Sequence, residues 1–549
     1  MRSLWLIITT FILSMTAGLL SLQAQSSSDE TSLYYYRIFF YDKGATVWDL
    51  TPEQLLSPAA IARREKYEIT APDINDLPVS AQYITTVTQY GLAYKCASKW
   101  MNTALFTSSI PVNEGELEQL LFISRVQLEK HPADPAKRTY NKYGTTETGA
   151  DSDAFDPRAP LNGTILHQSG FTGKNVTIAV LDAGFDNADL IEALEPLRQR
   201  GGIIATHDFV TGYENVYDYN NHGTSVMSIL AGSLPGIIAG TAPGADYLLL
   251  RTEDDETEFP VEMDYWAAAA EYADSAGADI ITSSLGYYTF DDPAMDYSFS
   301  DMDGNTTFIS RAADIAASKG ILVVSSAGNE RNKEWVRIIA PSDGDSVLCV
   351  GAVRQDMTIS DFSSAGYSSD GQVKPDVVAP GVGIPIQLEQ GLWYAGSGTS
   401  FSCPVISGLS ASLMQAVPEA TPAEIITALH ESSDRFNNPD TLYGYGLPDF
   451  LKVLGLLEEK HTYMPEVIMT AGPNPFFDEI NLWFREPAGS LDVTFTGSSG
   501  NLIREWSYPV FAGRSLRLDG LDNIGQGVYL LRIVTDQGER VFKMIRLRR

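Results

Sequence analysis

Cysteine is scarce in this chain of 549 residues: Cys96, Cys349 and Cys403 are the only three, and they lie far apart. They have neither the density of a disulfide framework nor the paired spacing of a zinc site, so neither is implied. Basic residues are also short. Lys and Arg number 38 against 70 Asp and Glu, a formal net charge of −32. Phosphate recognition needs clustered Lys and Arg, so this balance argues against nucleic acid as a partner. The deficit is deepest between Arg251 and Arg311, where no basic residue occurs. That stretch reads as a solvated acidic surface, with cation binding or a preference for basic substrates as the alternative. Long apolar runs are missing after residue 22. The run from Leu4 to Leu22, behind Arg2 and ending in Leu22-Gln23-Ala24-Gln25, reads as a secretory signal (1–24) cleaved after Ala24. An uncleaved anchor is the alternative. Export follows as the expected destination, with no transmembrane domain in the mature form.

The length exceeds one hydrophobic core, so several domains are expected. Residues 32–130 mix β-rich Tyr34–Phe40 with helical pieces at Pro58–Arg64 and Val79–Tyr90, a small α+β unit. Residues 131–160 are polar and rich in turn formers, which reads as an exposed linker. From 161 to 458 the pattern alternates. Apolar runs such as Val176–Leu181, Tyr247–Leu250, Ile321–Val324 and Val347–Val350 suit strands buried on both faces. Helical stretches separate them, including Asp264–Ala276, Thr306–Lys319 and one opened by the capping box Thr421-Pro422-Ala423-Glu424. This alternation predicts an α/β, doubly wound parallel sheet with helices on both sides, whose ligands bind beyond the carboxyl ends of the strands. Residues 465–549 carry short alternating segments and a hairpin around Thr535–Glu539, a small all-β, sandwich-like domain without an acid–base constellation.

The polar residues of interest all fall at predicted strand ends or helix starts. Asp182 closes the strand Val176–Leu181; by itself it is as well explained as a turn cap. His222, in Asn221-His222-Gly223-Thr224-Ser225, precedes an apolar helical run, and Gly223 removes bulk beside the ring. Asn329 ends another strand in Ser326-Ala327-Gly328-Asn329. Its amide suits an oxyanion hole, and its bland reading is a turn residue. Ser283-Ser284-Leu285-Gly286 is small enough for an extended peptide to add to the backbone, or is a tight strand exit. Ser400, in Gly398-Thr399-Ser400-Phe401-Ser402-Cys403-Pro404, sits at a predicted helix N-terminus with Pro404 in the first turn. A serine hydroxyl is a weak nucleophile and needs a base and an orienting acid. Cys403 reads as a buried packing residue.

In the order Asp182, His222, Asn329, Ser400, these motifs resemble the subtilisin-like serine peptidases, whose triad follows the same chain order of Asp, His and Ser. The resemblance covers about 161–453. It implies an exported serine endopeptidase: Ser400 attacks the scissile carbonyl, His222 moves the proton, and Asp182 fixes the imidazole. Asn329 and the Ser400 N–H hold the oxyanion, and Ser284, Leu285 and Gly286 line the substrate cleft. Two departures from the family stand out: Ala183 replaces a Ser or Thr, and Phe401-Ser402-Cys403 replaces small or Met residues. The first unit then resembles a propeptide that chaperones and inhibits the peptidase. The last resembles the sorting domain of the type IX secretion machinery of Bacteroidetes, on Asn474-Pro475, Gly527-Val528-Tyr529 and the basic Lys543–Arg549 tail. The implied partners are peptide or protein substrates, the chain's own propeptide and that machinery, with a secreted or cell-surface location. No cofactor is required, and no metal ligand is named. Structural calcium is possible in chemistry, but no loop has diagnostic ligand spacing. The rival readings are an inactive scaffold used for binding or display, and an α/β-hydrolase esterase. The latter requires Gly-x-Ser-x-Gly and the order Ser, Asp, His, and neither occurs.

Overall fold

A computed structural model describes residues 32–44, 50–132, 145–148, 155–461, 468–484, 489–497, 501–536 and 538–547. The expected signal at 1–24 lies outside them. At the centre is a seven-stranded sheet in the spatial order Val377–Pro380, Val347–Val353, Leu322–Ser326, Ile280–Ser283, Thr177–Asp182, Asp246–Arg251, Ile203–Asp208. Every neighbouring pair is parallel. Parallel strands need crossovers, and the crossover helices cover both faces. The apolar run at residues 178–181 shows why it has no polar side. Ile178 and Val180 enter one core cluster, and Ala179 and Leu181 enter the other. Successive side chains of a strand point to opposite faces, and here both faces are dry. The helix Thr399–Ala416 belongs to the first cluster, and the helices Glu262–Ala276 and Phe308–Ser318 belong to the second.

The N-terminal unit is a four-stranded antiparallel sheet in the order Ala93–Ser98, Thr103–Ser108, Tyr34–Phe40, Ile123–Lys130, with helices at Pro58–Lys66 and Ala81–Thr88. It docks on the central domain through an apolar cluster, in which Tyr35 and Leu105 meet Val210, Phe259, Val261 and Tyr265, and through buried charge. Arg37 Nε and Nη2 donate to Asp264 at 2.8 and 2.6 Å, and Arg37 Nη1 lies 2.9 Å from Glu129. Arg64 spans Asp76 and Asp274 at 2.7 Å each, and Glu271 accepts the backbone N–H groups of Lys99 and Trp100 at 2.9 and 3.0 Å. Burial pushes the carboxyls of Asp264 and Glu271 up, and that of Glu129 up to about 8, with Arg37 pulling Glu129 and Asp264 back.

The C-terminal module packs two antiparallel sheets around one core. One comprises Ile468–Gly472, Ile480–Phe484 and Ser515–Leu518, and the other Leu502–Tyr508, Leu491–Gly497, Gly527–Thr535 and Gly538–Arg546. The hairpin read around residue 536 is present, with Thr535 opposite Gly538.

Two readings change. Within 131–160, expected to be linker, Thr145–Thr148 forms a strand beside Leu392–Ser397. Residues 133–144 and 149–154 lie outside the described ones. Pro404 is not in the first turn of its helix: Thr399 and Ser400 open the helix, so Pro404 stands inside it. A proline there removes the N–H that would bond the carbonyl four residues back. That carbonyl is Ser400 O, and the Ser284 hydroxyl donates to it at 3.1 Å instead.

Candidate active site

Asp182 is the last residue of its strand and is fully buried. A parallel sheet delivers that position to the carboxyl edge, at the point where strand order reverses on either side of Thr177–Asp182. Asp182 Oδ1 accepts the Ala183 N–H at 2.8 Å and lies 2.8 Å from His222 Nδ1. Its other oxygen, Oδ2, has no hydrogen-bond partner. Ala183, the next residue, carries no side-chain hydroxyl to offer it.

His222 is the first residue of the helix His222–Ala231, held by its backbone N–H on Asn220 Oδ1 at 2.8 Å. Gly223 is required there, though not to clear the imidazole. A Cβ at Gly223 would lie 2.4 Å from the Gly184 carbonyl oxygen and 2.7 Å from the Phe185 ring. The close approach is therefore between the helix start and the loop leaving Asp182, which is what brings the two side chains together.

Ser400 is the second residue of its helix, 2% exposed, and its hydroxyl donates to the Ser284 carbonyl at 3.3 Å. Ser284 thus holds Ser400 twice, through hydroxyl and carbonyl. Asn329 Oδ1 accepts both the Thr399 N–H at 2.9 Å and the Thr399 hydroxyl at 3.1 Å. With its oxygen engaged, the Asn329 Nδ2 donor is the end left for the cleft. Sequence reasoning named Asn329 and Ser400 but missed Thr399, which couples them. Its hydroxyl beside the serine was the available signal.

Phe401 is buried against Gly396, its ring edge-on to His222 with centroids 6.4 Å apart. Cys403 is fully buried, and burial pushes its thiol up to about 11, so it is inert as a nucleophile. Ser284, Leu285, Gly286, Asn329 and Ser400 all line one cavity, so the expected cleft residues converge. Glu258, Tyr288, Glu330 and Ile339 line it too and were missed. Among the described residues, no group of three or more His, Cys, Asp or Glu is arranged to hold a metal ion. No helix among them is long and apolar enough to cross a membrane.

The arrangement has known relatives. Residues 173–446 match the model of the subtilase family, and residues 35–144 match that of a peptidase S8 propeptide domain of Bacteroidota. Subtilisin of Bacillus pumilus is 31% identical over 285 residues, covering 51% of this chain and 92% of that protein. This chain belongs to the subtilase family. Subtilisin E of Bacillus subtilis is likewise 31% identical over 285 residues, and the matched stretch spans 66% of its length. Serine protease AprX of Bacillus subtilis is 29% identical over 336 residues, covering 55% of this chain and 72% of that protein. The subtilase family is one of serine peptidases, and both the α/β central domain and the N-terminal propeptide unit of this subtilase agree with it.

Proposed function

We propose that this subtilase is an exported serine endopeptidase that cleaves peptide bonds through an acyl-enzyme. The observation that carries the reading is the 2.8 Å contact between His222 Nδ1 and Asp182 Oδ1 at the same strand edge as the Ser400 helix start. Ser400 Oγ attacks the scissile carbonyl while His222 Nε2 takes its proton, and His222 returns that proton to the leaving amine. Asp182 holds the ring through Nδ1 and stabilises the imidazolium. The oxyanion takes hydrogen bonds from Asn329 Nδ2 and the Ser400 N–H, at the positive end of the helix. Water then repeats the sequence on the acyl-enzyme, and no step requires a cofactor or metal. Structural calcium remains compatible with this chemistry.

The propeptide unit acts as the peptidase's own inhibitor. Its end supports this: Lys130 Nζ lies 2.8 Å from Asp254, and His131 lies 3.1 Å from Asp292, so the chain leaves the unit beside the wall that carries Glu258. Release occurs by cleavage within 131–160. Residues 1–24 direct export, and the module 465–549 hands the protein to the type IX secretion machinery. Fusing that module to a reporter with a signal peptide, in a host with and without the machinery, tests the assignment.

The buried, unpartnered Asp182 Oδ2 favours a second reading, a weakly active or inactive scaffold used for binding or display. A fluorophosphonate probe decides between the two. Matured wild type should be labelled and Ser400→Ala should not. An unlabelled wild type rejects the peptidase.

A further inference from the structure

The cavity beside Ser400 has its deep end filled. Its walls are Ser284–Gly286 on one side and Ser326–Asn329 on the other. Each wall contributes a glycine. A Cβ built on Gly286 would lie 2.5 Å from Ile339 Cδ1 and 2.6 Å from Ile339 Cγ1. One built on Gly328 would lie 2.9 Å from the same Cδ1. A single methyl group packed against both glycines stands between the walls.

Ile339 is held there by its backbone. Tyr287 N–H donates to Ala340 O at 2.8 Å, Ala340 N–H returns a bond to Tyr287 O at 3.3 Å, and Ser342 N–H donates to Ile339 O at 2.9 Å. Trp335 Nε1 donates to Ile338 O at 2.9 Å. Moving residue 339 out of the slot breaks these bonds beside buried apolar groups, where replacement by water is costly.

On the reading that Ser400 acylates, the attacked carbonyl lies between Ser400 Oγ and the Asn329 amide, and both line this cavity. The side chain of the residue that supplies that carbonyl is therefore the one that meets the slot. We infer that this peptidase accepts only Gly, Ala or Ser as the residue on the acyl side of the scissile bond, and that Ile339 sets the limit. Leucine, phenylalanine or lysine must displace the Ile339 δ-methyl. Glu330 does not redirect the choice toward a basic residue. Glu330 is engaged by Lys333 at 2.9 Å and by the Tyr288 hydroxyl at 2.6 Å, and a lysine stem cannot pass Ile339.

The test uses the matured full chain and peptides that differ only at that residue, with fluorophosphonate titration fixing the concentration of active enzyme. Peptides with Ala should exceed those with Leu, Phe or Lys in kcat/KM by at least about ten-fold, the low end of what one methylene decides in a pocket. Ile339→Gly should raise the Phe-to-Ala ratio by at least about ten-fold, and Ile339→Val should move it the same way by less. The valine variant keeps the test open if the glycine variant does not fold. Titratable wild type that cleaves after Leu, Phe or Lys as fast as after Ala overturns the inference and leaves the peptidase standing. So does a ratio unchanged in both variants. Wild type that the probe does not label rejects the Ser400 reading, and this inference falls with it.

Discussion

Replacing Arg37 by methionine should free the propeptide unit from the peptidase. Arg37 is 2% exposed, and its guanidinium serves Asp264 on the central domain and Glu129 on its own unit. It also lies 3.7 Å from the centroid of the Phe308 ring. Removing one partner of a buried ion pair costs about 3–5 kcal/mol, because the remaining charge stays desolvated. Here the loss is tempered. Burial already lifts the Asp264 and Glu129 carboxyls, so both can take up protons when Arg37 is gone. The lower figure applies, and about 3 kcal/mol is about a hundred-fold in an equilibrium constant. The assay is inhibition of the matured peptidase by added unit 32–132, wild type against Arg37→Met, with circular dichroism to check that the variant folds. Asp264→Asn on the peptidase should weaken inhibition in the same direction, and the pair of changes should cost less than their sum. A variant unit that folds and inhibits within five-fold of wild type refutes the claim that this cluster holds the interface.

Three further outcomes are expected. Asn329→Ala should lower kcat by about 10²–10³ with KM little changed, as loss of one oxyanion donor does in subtilisin; steady-state kinetics checks it. Ala183→Ser offers a hydroxyl to the bare Asp182 Oδ2 and should raise kcat/KM by up to about ten-fold; no change would mean the oxygen gains nothing from a partner. Inhibition by the unit should weaken as pH rises. Burial pushes the docked Glu129 carboxyl up to about 8, with Arg37 pulling it back, so docking favours its protonated form between the ordinary carboxylate range and that value. The inhibition constant should climb through that window, by at most about ten-fold per pH unit, and level off above about 8.

Much of the scaffold was legible because its periodicities are local. The run at 178–181 reads as a strand buried on both faces since each of its residues is apolar, and the capping box at Thr421 and Glu424 is a four-residue signal. The strands Leu502–Tyr508 and Leu392–Ser397 were not legible. Both are largely exposed or half-buried and carry no clear alternation, so only pairing with their neighbours makes them strands. Pro404 misled for a related reason. Its local rule placed it in a first turn, whereas a side chain over a hundred residues away supplies the lost hydrogen bond.

At the site, residue type was enough to nominate Asp182, His222, Asn329 and Ser400, since few side chains can perform that chemistry and each sits in a small-residue turn. The contact between Asp182 and His222, the meeting of Asn329 and Ser400 on one cavity, the turn of the Asn329 amide by Thr399, and the place of Ile339 between two glycines were decided by tertiary structure. Strand register and long-range packing are set by the sum of many distant contacts, and no window of sequence contains that sum.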